Sequence, residues 1–194
     1  MLNFDEPRLR MAVEKVPTEL RGAFGLSCAE RLFPAYVKYA KETGRGTPDV
    51  LRSILDRQWA GLLRAGVDIN ELQADLEVCM GLLPNEDDGN WVPAQAEAED
   101  AVASLAYAIR ARLHGHEMNE VWAARRAYEA ADHSVLSQDD TITFEEKREN
   151  LILSNPLVQV ELEHQWRDIQ ELGQATSDSS SEVIRRVMDR ARKR

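Results

Sequence analysis

The sequence predicts an all-α protein, a single-domain bundle of roughly seven to nine helices. Three observations carry that reading. Apolar residues recur at helical spacing along most of the chain. Helix-start signals fall between those stretches, and nothing shows the sustained period-two alternation bounded by hairpin turns that a strand needs. The length of 194 residues, 43% of them hydrophobic and 30% charged, suits one sizeable core and argues against a disordered or fibrous chain.

In chain order, helices are expected near 5–15, 18–43, 48–65, 69–82, 93–114, 117–133, 143–152, 156–175 and 180–192. Pro34 should kink or split the second of these, and Gly44 should cap its end. Thr47-Pro48-Asp49 places an N-cap before a proline at the first position of the third. Leu51, Ile54, Leu55, Gln58, Trp59 and Leu62 then form its buried stripe. Asp68-Ile-Asn-Glu71 reads as an acidic capping box for the fourth. Val102, Leu105, Ala106, Ile109 and Leu113 line the fifth, which Gly115 stops. Thr143-Phe-Glu-Glu146 fits a capping box for the seventh. Asn155-Pro156 starts the eighth, whose stripe is Val158, Leu162, Trp166, Ile169 and Leu172. Ser179-Ser-Ser-Glu182 is a capping box for the last. The segments 84–92 and 134–142 are the clear interruptions, and neither is long enough to separate domains. Residues 1–176 are therefore expected to form the bundle, and 177–194 a polar joint followed by a basic terminal helix.

No apolar run approaches the roughly 18 residues needed to span a bilayer, and the N-terminus lacks the apolar core of a signal peptide. Cys28 and Cys79 can supply neither a disulfide framework nor a complete structural zinc site. A reduced, cytoplasmic setting away from membranes is the expectation. The formal net charge of −10 argues against nucleic-acid binding by the surface as a whole.

That charge is concentrated. Between Arg64 and Arg110 there is no Lys or Arg, yet the segment holds Asp68, Glu71, Asp75, Glu77, Glu86, Asp87, Asp88, Glu97, Glu99 and Asp100. Elsewhere the other 24 acids balance the 24 bases of the whole chain. The window reads either as a docking face for a basic protein or as a solvated face that aids solubility. On the docking reading the contact residues are Asp68, Glu71, Asp75, Glu86, Asp87, Asp88, Glu97 and Asp100, with Trp91 as an aromatic anchor. The C-terminus is the opposite: residues 185–194 carry six bases and one acid. They complement the dipole of a terminal helix, grip nucleic acid, or contact the acidic window.

Residues with catalytic or metal-binding potential are sparse. His114-Gly115-His116-Glu117 could offer three ligands, but it lacks the i, i+4 spacing of a helical metal site, and a helix-end role is the simpler reading. His133 follows Asp132 near a helix end, and His164 would need a cleft to act in acid–base chemistry. A diiron bundle needs Glu-x-x-His on two helices, whereas Glu161…His164 is a single instance. No nucleophile elbow, phosphate loop, dinucleotide glycine pattern or Cys-x-x-Cys is present, and both cysteines lie among apolar neighbours. No metal or cofactor is expected, and no catalytic residue is assigned.

Several dispersed segments together resemble the YjaG-like bacterial family, domain of unknown function 416. They are Glu30-Arg-Leu-Phe-Pro34-Ala-Tyr36, Thr43-Gly44-Arg-Gly46, Leu51-Arg-Ser-Ile-Leu55-Asp56-Arg-Gln-Trp59, Ala111-Arg-Leu-His-Gly115 and Asn155-Pro156-Leu-Val-Gln-Val-Glu161-Leu-Glu-His-Gln165-Trp166. The resemblance spans about residues 20–175 and implies an all-helical cytoplasmic fold; it brings no catalytic residues. The serine-rich joint and basic terminal helix depart from the family's pattern. Read physically, Arg31, Pro34, Tyr36 and Tyr39 should set the kink and its packing. Asp56, Arg57 and Trp59 should meet a partner such as Glu30, in an ion pair or in a site.

The expectation is thus a non-enzymatic protein-binding protein: an immunity protein or antitoxin that neutralises a cognate basic, nuclease-type toxin through its acidic face. The alternative is a housekeeping protein or enzyme of unknown reaction with a cleft near Glu30 and Asp56. Self-association is left open.

Overall fold

The computed structural model describes residues 1–64, 68–84, 92–138 and 145–193; for 137, 138 and 145–149 it describes the backbone only. The described residues form nine helices and no strand: α1 Glu6–Glu14, α2 Thr18–Thr43, α3 Pro48–Leu63, α4 Ile69–Met80, α5 Pro93–His114, α6 Met118–Gln138, α7 Glu145–Ser154, α8 Pro156–Gly173 and α9 Ser180–Arg192.

Local chemistry accounts for most boundaries. The Asp5 side chain caps α1 by accepting from the Arg8 N–H at 2.9 Å. Asp68 caps α4 by accepting from the N–H groups of Asn70 and Glu71. Asn155 accepts from Leu157 at the head of α8. Gly44 and Gly115 end α2 and α5 at φ +69° and +65°, a left-handed conformation that side chains with a Cβ resist.

Of the two outcomes expected at Pro34, a kink or a split, the split does not occur: α2 runs from Thr18 to Thr43 as one helix. A proline removes one backbone donor, here the bond to the Glu30 carbonyl, while α5, α6, α9, α3 and α8 pack along the helix and hold it as one element. Thr47 makes no side-chain cap bond to α3. Ser179 makes none to α9; its hydroxyl turns back to Thr176, so that capping box does not form. Finally, α6 continues past 133 into the segment read as a loop. Val135 is buried there against Ile152, Val158 and Leu162, and that contact outweighs the polar local sequence. The cap read at Thr143 lies outside the described residues.

α2 and α5 are the axis of the bundle. α5 presents Ala94, Ala98, Ala101, Ala108 and Ala111, small side chains that let neighbouring helices approach closely. Around this axis Phe24, Tyr36, Ile54, Trp59, Leu105 and Ile109 are fully buried, each contributing about 1.5–3 kcal/mol through removal from water. The three sequence stripes face inward as expected, except that Leu62, Leu113 and Trp166 sit at the edge; Trp166 stacks against the Arg8 guanidinium at 4.7 Å. The polar joint leads into α9, whose Val183, Ile184 and Val187 enter the same core. No helix among the described residues is long and apolar enough to cross a membrane.

Candidate functional site

The acidic window does not fold into one exposed face. Asp75 lies three residues after Leu72 and four before Cys79, on the buried stripe of α4. It accepts from Arg57 and from Gln58 Nε2 at 2.7 Å. Glu97 and Asp100 fall among the buried alanines of α5 and are 9% and 3% exposed. Glu97 accepts from Ser134, while Asp100 pairs with Arg126 and His133. The hydrogen bond to Asp100 raises the His133 pKa from its ordinary value. These three acids therefore hold helices together and are withdrawn from the surface contact set. Their spacing from Leu72, Cys79, Ala94 and Ala101 carried that signal, which counting charge along the chain ignores. Glu71 faces Arg64 at 3.4 Å. Glu86, Asp87, Asp88 and Trp91 lie outside the described residues.

What does remain at the surface is the outer side of α4 and the turn after it. Ile69, Val78, Met80 and Leu83 are exposed there, together with Asp68 and Glu77. Arg110 borders this side, its guanidinium 3.7 Å from Met80 Sδ.

The second candidate, around Glu30 and Asp56, is a shallow depression of about 360 Å³ lined by Glu30, Phe33, Pro34, Arg52, Asp56 and Arg192. Glu30 is buried. It accepts from both terminal nitrogens of Arg52, from Trp59 Nε1 at 2.9 Å, and pairs with Arg192 at 3.6 Å. Asp56 bridges Arg52 at 3.0 Å and Arg192 at 2.5 Å. Of the residues expected around Glu30, Trp59 meets it; Arg57 instead serves Asp75. Arg192, from the basic end of the chain, completes the cluster. That end therefore contacts Glu30 and Asp56, through Arg192.

Next to Glu30, Arg31 forms a buried network that the sequence reading missed. Its guanidinium donates to Glu161 at 2.9 Å and to Asp168 at 2.8 Å. Asp168 also accepts from Ser27 and Arg190, and Gln165 donates to Glu161. Glu161 and Asp168 are seven residues apart, beside Leu162 and Ile169, so they lie on the buried face of α8. Arg31 and Arg190 meet Glu161 and Asp168, and Arg190 also pairs with Glu171, so each buried charge has a partner within the protein. Nearby Cys28 is pushed up to about 12 by burial, as is Cys79, which leaves both as thiols.

The histidine pair serves helix ends. His114 closes α5, and His116 Nδ1 accepts from the Met118 N–H at the start of α6. Among the described residues, no three His, Cys, Asp or Glu side chains come together as a metal site.

The family described as "Protein of unknown function (DUF416)" matches residues 9–194. The "Uncharacterized protein YjaG" of Escherichia coli (strain K12) is 24% identical over 158 residues, which cover 81% of this chain and 78% of that protein. Its counterpart in Salmonella typhi gives the same figures. A crystal structure of a DUF416 family protein from Shewanella baltica OS155, 16% identical, superposes over 93% of each chain with a TM-score of 0.77 and shares the helical fold.

Proposed function

Because this chain belongs to the DUF416 family, whose description assigns no function, we propose a reading from geometry: a non-enzymatic, cytoplasmic protein-binding protein that neutralises a basic partner, as an immunity protein or antitoxin neutralises a nuclease-type toxin. The observation that carries this reading is the outer side of α4. Four large apolar side chains are exposed there beside Asp68 and Glu77, in a stretch of sequence that holds ten acids and no base. Apolar contacts supply the bound state of such an interface, while a surrounding excess of one charge speeds encounter with a partner of the opposite sign. The contact set becomes Asp68, Glu71, Ile69, Glu77, Val78 and Met80, extended by Glu86, Asp87, Asp88 and Trp91. Asp75, Glu97 and Asp100 support it from within.

The test is capture from native cells followed by kinetics with the purified partner. The reading requires a stoichiometric basic protein that is toxic when expressed alone. Replacing Glu86, Asp87 and Asp88 with Lys should then slow association about tenfold or more at low salt, and V78K/M80K should speed dissociation. Unchanged kinetics in both variants would overturn it.

The alternative, a housekeeping protein or enzyme acting at the Glu30–Asp56 depression, is favoured by one observation: Arg52 Nε is buried there without a hydrogen-bond partner. Against it, both carboxylates are engaged by arginine, leaving no free base. A metabolite whose binding is lost in D56N would favour this alternative.

A further inference from the structure

A different cavity, of about 290 Å³, opens where the start of α2, the ends of α3 and α5 and the start of α6 converge. Its size is at the lower end of the roughly 300–1,000 Å³ typical of small-molecule sites. Three guanidinium groups line it, from Arg21, Arg64 and Arg112, against the carboxyls of Glu19 and Glu120.

Two of these side chains lack a full set of charged or hydrogen-bonding partners among the described residues. Arg112 is largely buried yet no carboxylate pairs with it among the described residues. Its Nη1 donates to the Gln58 backbone carbonyl at 3.1 Å and to Gln58 Oε1, both neutral acceptors. Gln58 is in turn fixed by Asp75, whose charge is already shared with Arg57. The second is Glu120, only 3% exposed, whose Oε2 has no hydrogen-bond partner. A buried guanidinium with no carboxylate in direct contact and a buried acid with one oxygen unpartnered are each costly, and here they share one cavity.

The backbone around Arg112 is shaped for it. A Cβ at Gly22 would stand 2.9 Å from Arg112 Cγ, and one at Gly61 would stand 2.9 Å from Arg112 Nη2. Side chains at either position would push the guanidinium out of its place. Buried Arg31, by contrast, is clamped by the carboxylates of Glu161 and Asp168.

We propose that this cavity binds a small molecule bearing an oxyanion, a carboxylate or a phosphate ester, which supplies the counter-charge to Arg112 through the fork of its guanidinium. Arg21, whose Nε and Nη2 donate to the Val16 and Glu14 carbonyls, and Arg64 add positive potential at the rim. The Glu120 carboxyl, raised to about 7 by burial, is available as a hydrogen-bond donor in its neutral form. Charge-assisted, two-pronged contacts of this kind are the strong ones in oxyanion recognition.

Titration calorimetry of the full chain at constant ionic strength, with inorganic phosphate and separately with succinate, tests the assignment. Saturable binding of at least one anion, with a Kd of ~1 mM or tighter, is expected, and the anion that binds identifies the chemistry. R112Q should weaken it about tenfold or more. G61A retains the charge and favours the helix, so it should leave thermal unfolding at or above wild type while weakening binding. Failure of both anions to saturate, or equal affinity in wild type, R112Q and G61A, overturns the proposal.

Discussion

Glu120 gives the folded chain a pH-dependent stability. Its carboxyl is raised from 4.5 to about 7, chiefly by burial. The folded state therefore holds this proton where the unfolded chain has lost it. Stability is full below 4.5 and falls as pH rises towards about 7. Glu120→Gln removes the ionisation, so the variant should gain on wild type by roughly 3 kcal/mol between pH 4.5 and pH 8; urea midpoints at the two pH values measure it. Arg31 is the opposite case, a buried charge with its partners in place. Arg31→Met leaves Glu161 and Asp168 with one cation fewer and should cost about 3–5 kcal/mol in the same assay. Cys28 and Cys79, buried and pushed up to about 12, should resist a thiol reagent at pH 8 in the native protein and react only after denaturation. Residue by residue, the inert cysteines were legible from their apolar neighbours. The pairing of Arg31 with Glu161 was not, because the two lie 130 positions apart and no local signal links them.

At the scale of elements, α9 shows how composition and role diverge. Residues 185–194, six of them basic, invite a reading as a free cationic arm, but the helix that holds most of them is amphipathic. Val183, Ile184 and Val187 enter the core, and Arg190 and Arg192 reach Asp168, Glu171, Asp56 and Glu30. Arg186 faces solvent with only an i, i+4 partner. Arg190→Ala should therefore cost about 3 kcal/mol, whereas Arg186→Ala should change stability by no more than about 0.5 kcal/mol. Equal effects in thermal unfolding would mean that α9 does not dock as described. Helix positions were legible from caps, prolines and apolar period, since those signals are local. The fates of Pro34 and of residues 134–138 were not, because packing from neighbouring helices overrides a local breaker.

For the whole molecule, the net charge of −10 and its gathering between Arg64 and Arg110 are properties of sequence alone, and so are the helical class, the order of the helices and the lack of a catalytic motif. Periodicity and composition act over a few residues and need no knowledge of what lies opposite. Only the tertiary structure decided where the charges go. Folding brought Arg57, Arg64 and Arg126 against Asp75, Glu71 and Asp100, left Ile69, Val78 and Met80 exposed on α4, and set Arg112 in a cavity where no carboxylate pairs with it among the described residues. Each of those outcomes depends on which distant helix packs against which face, and a charge is costly or useful according to the partners and the water it retains.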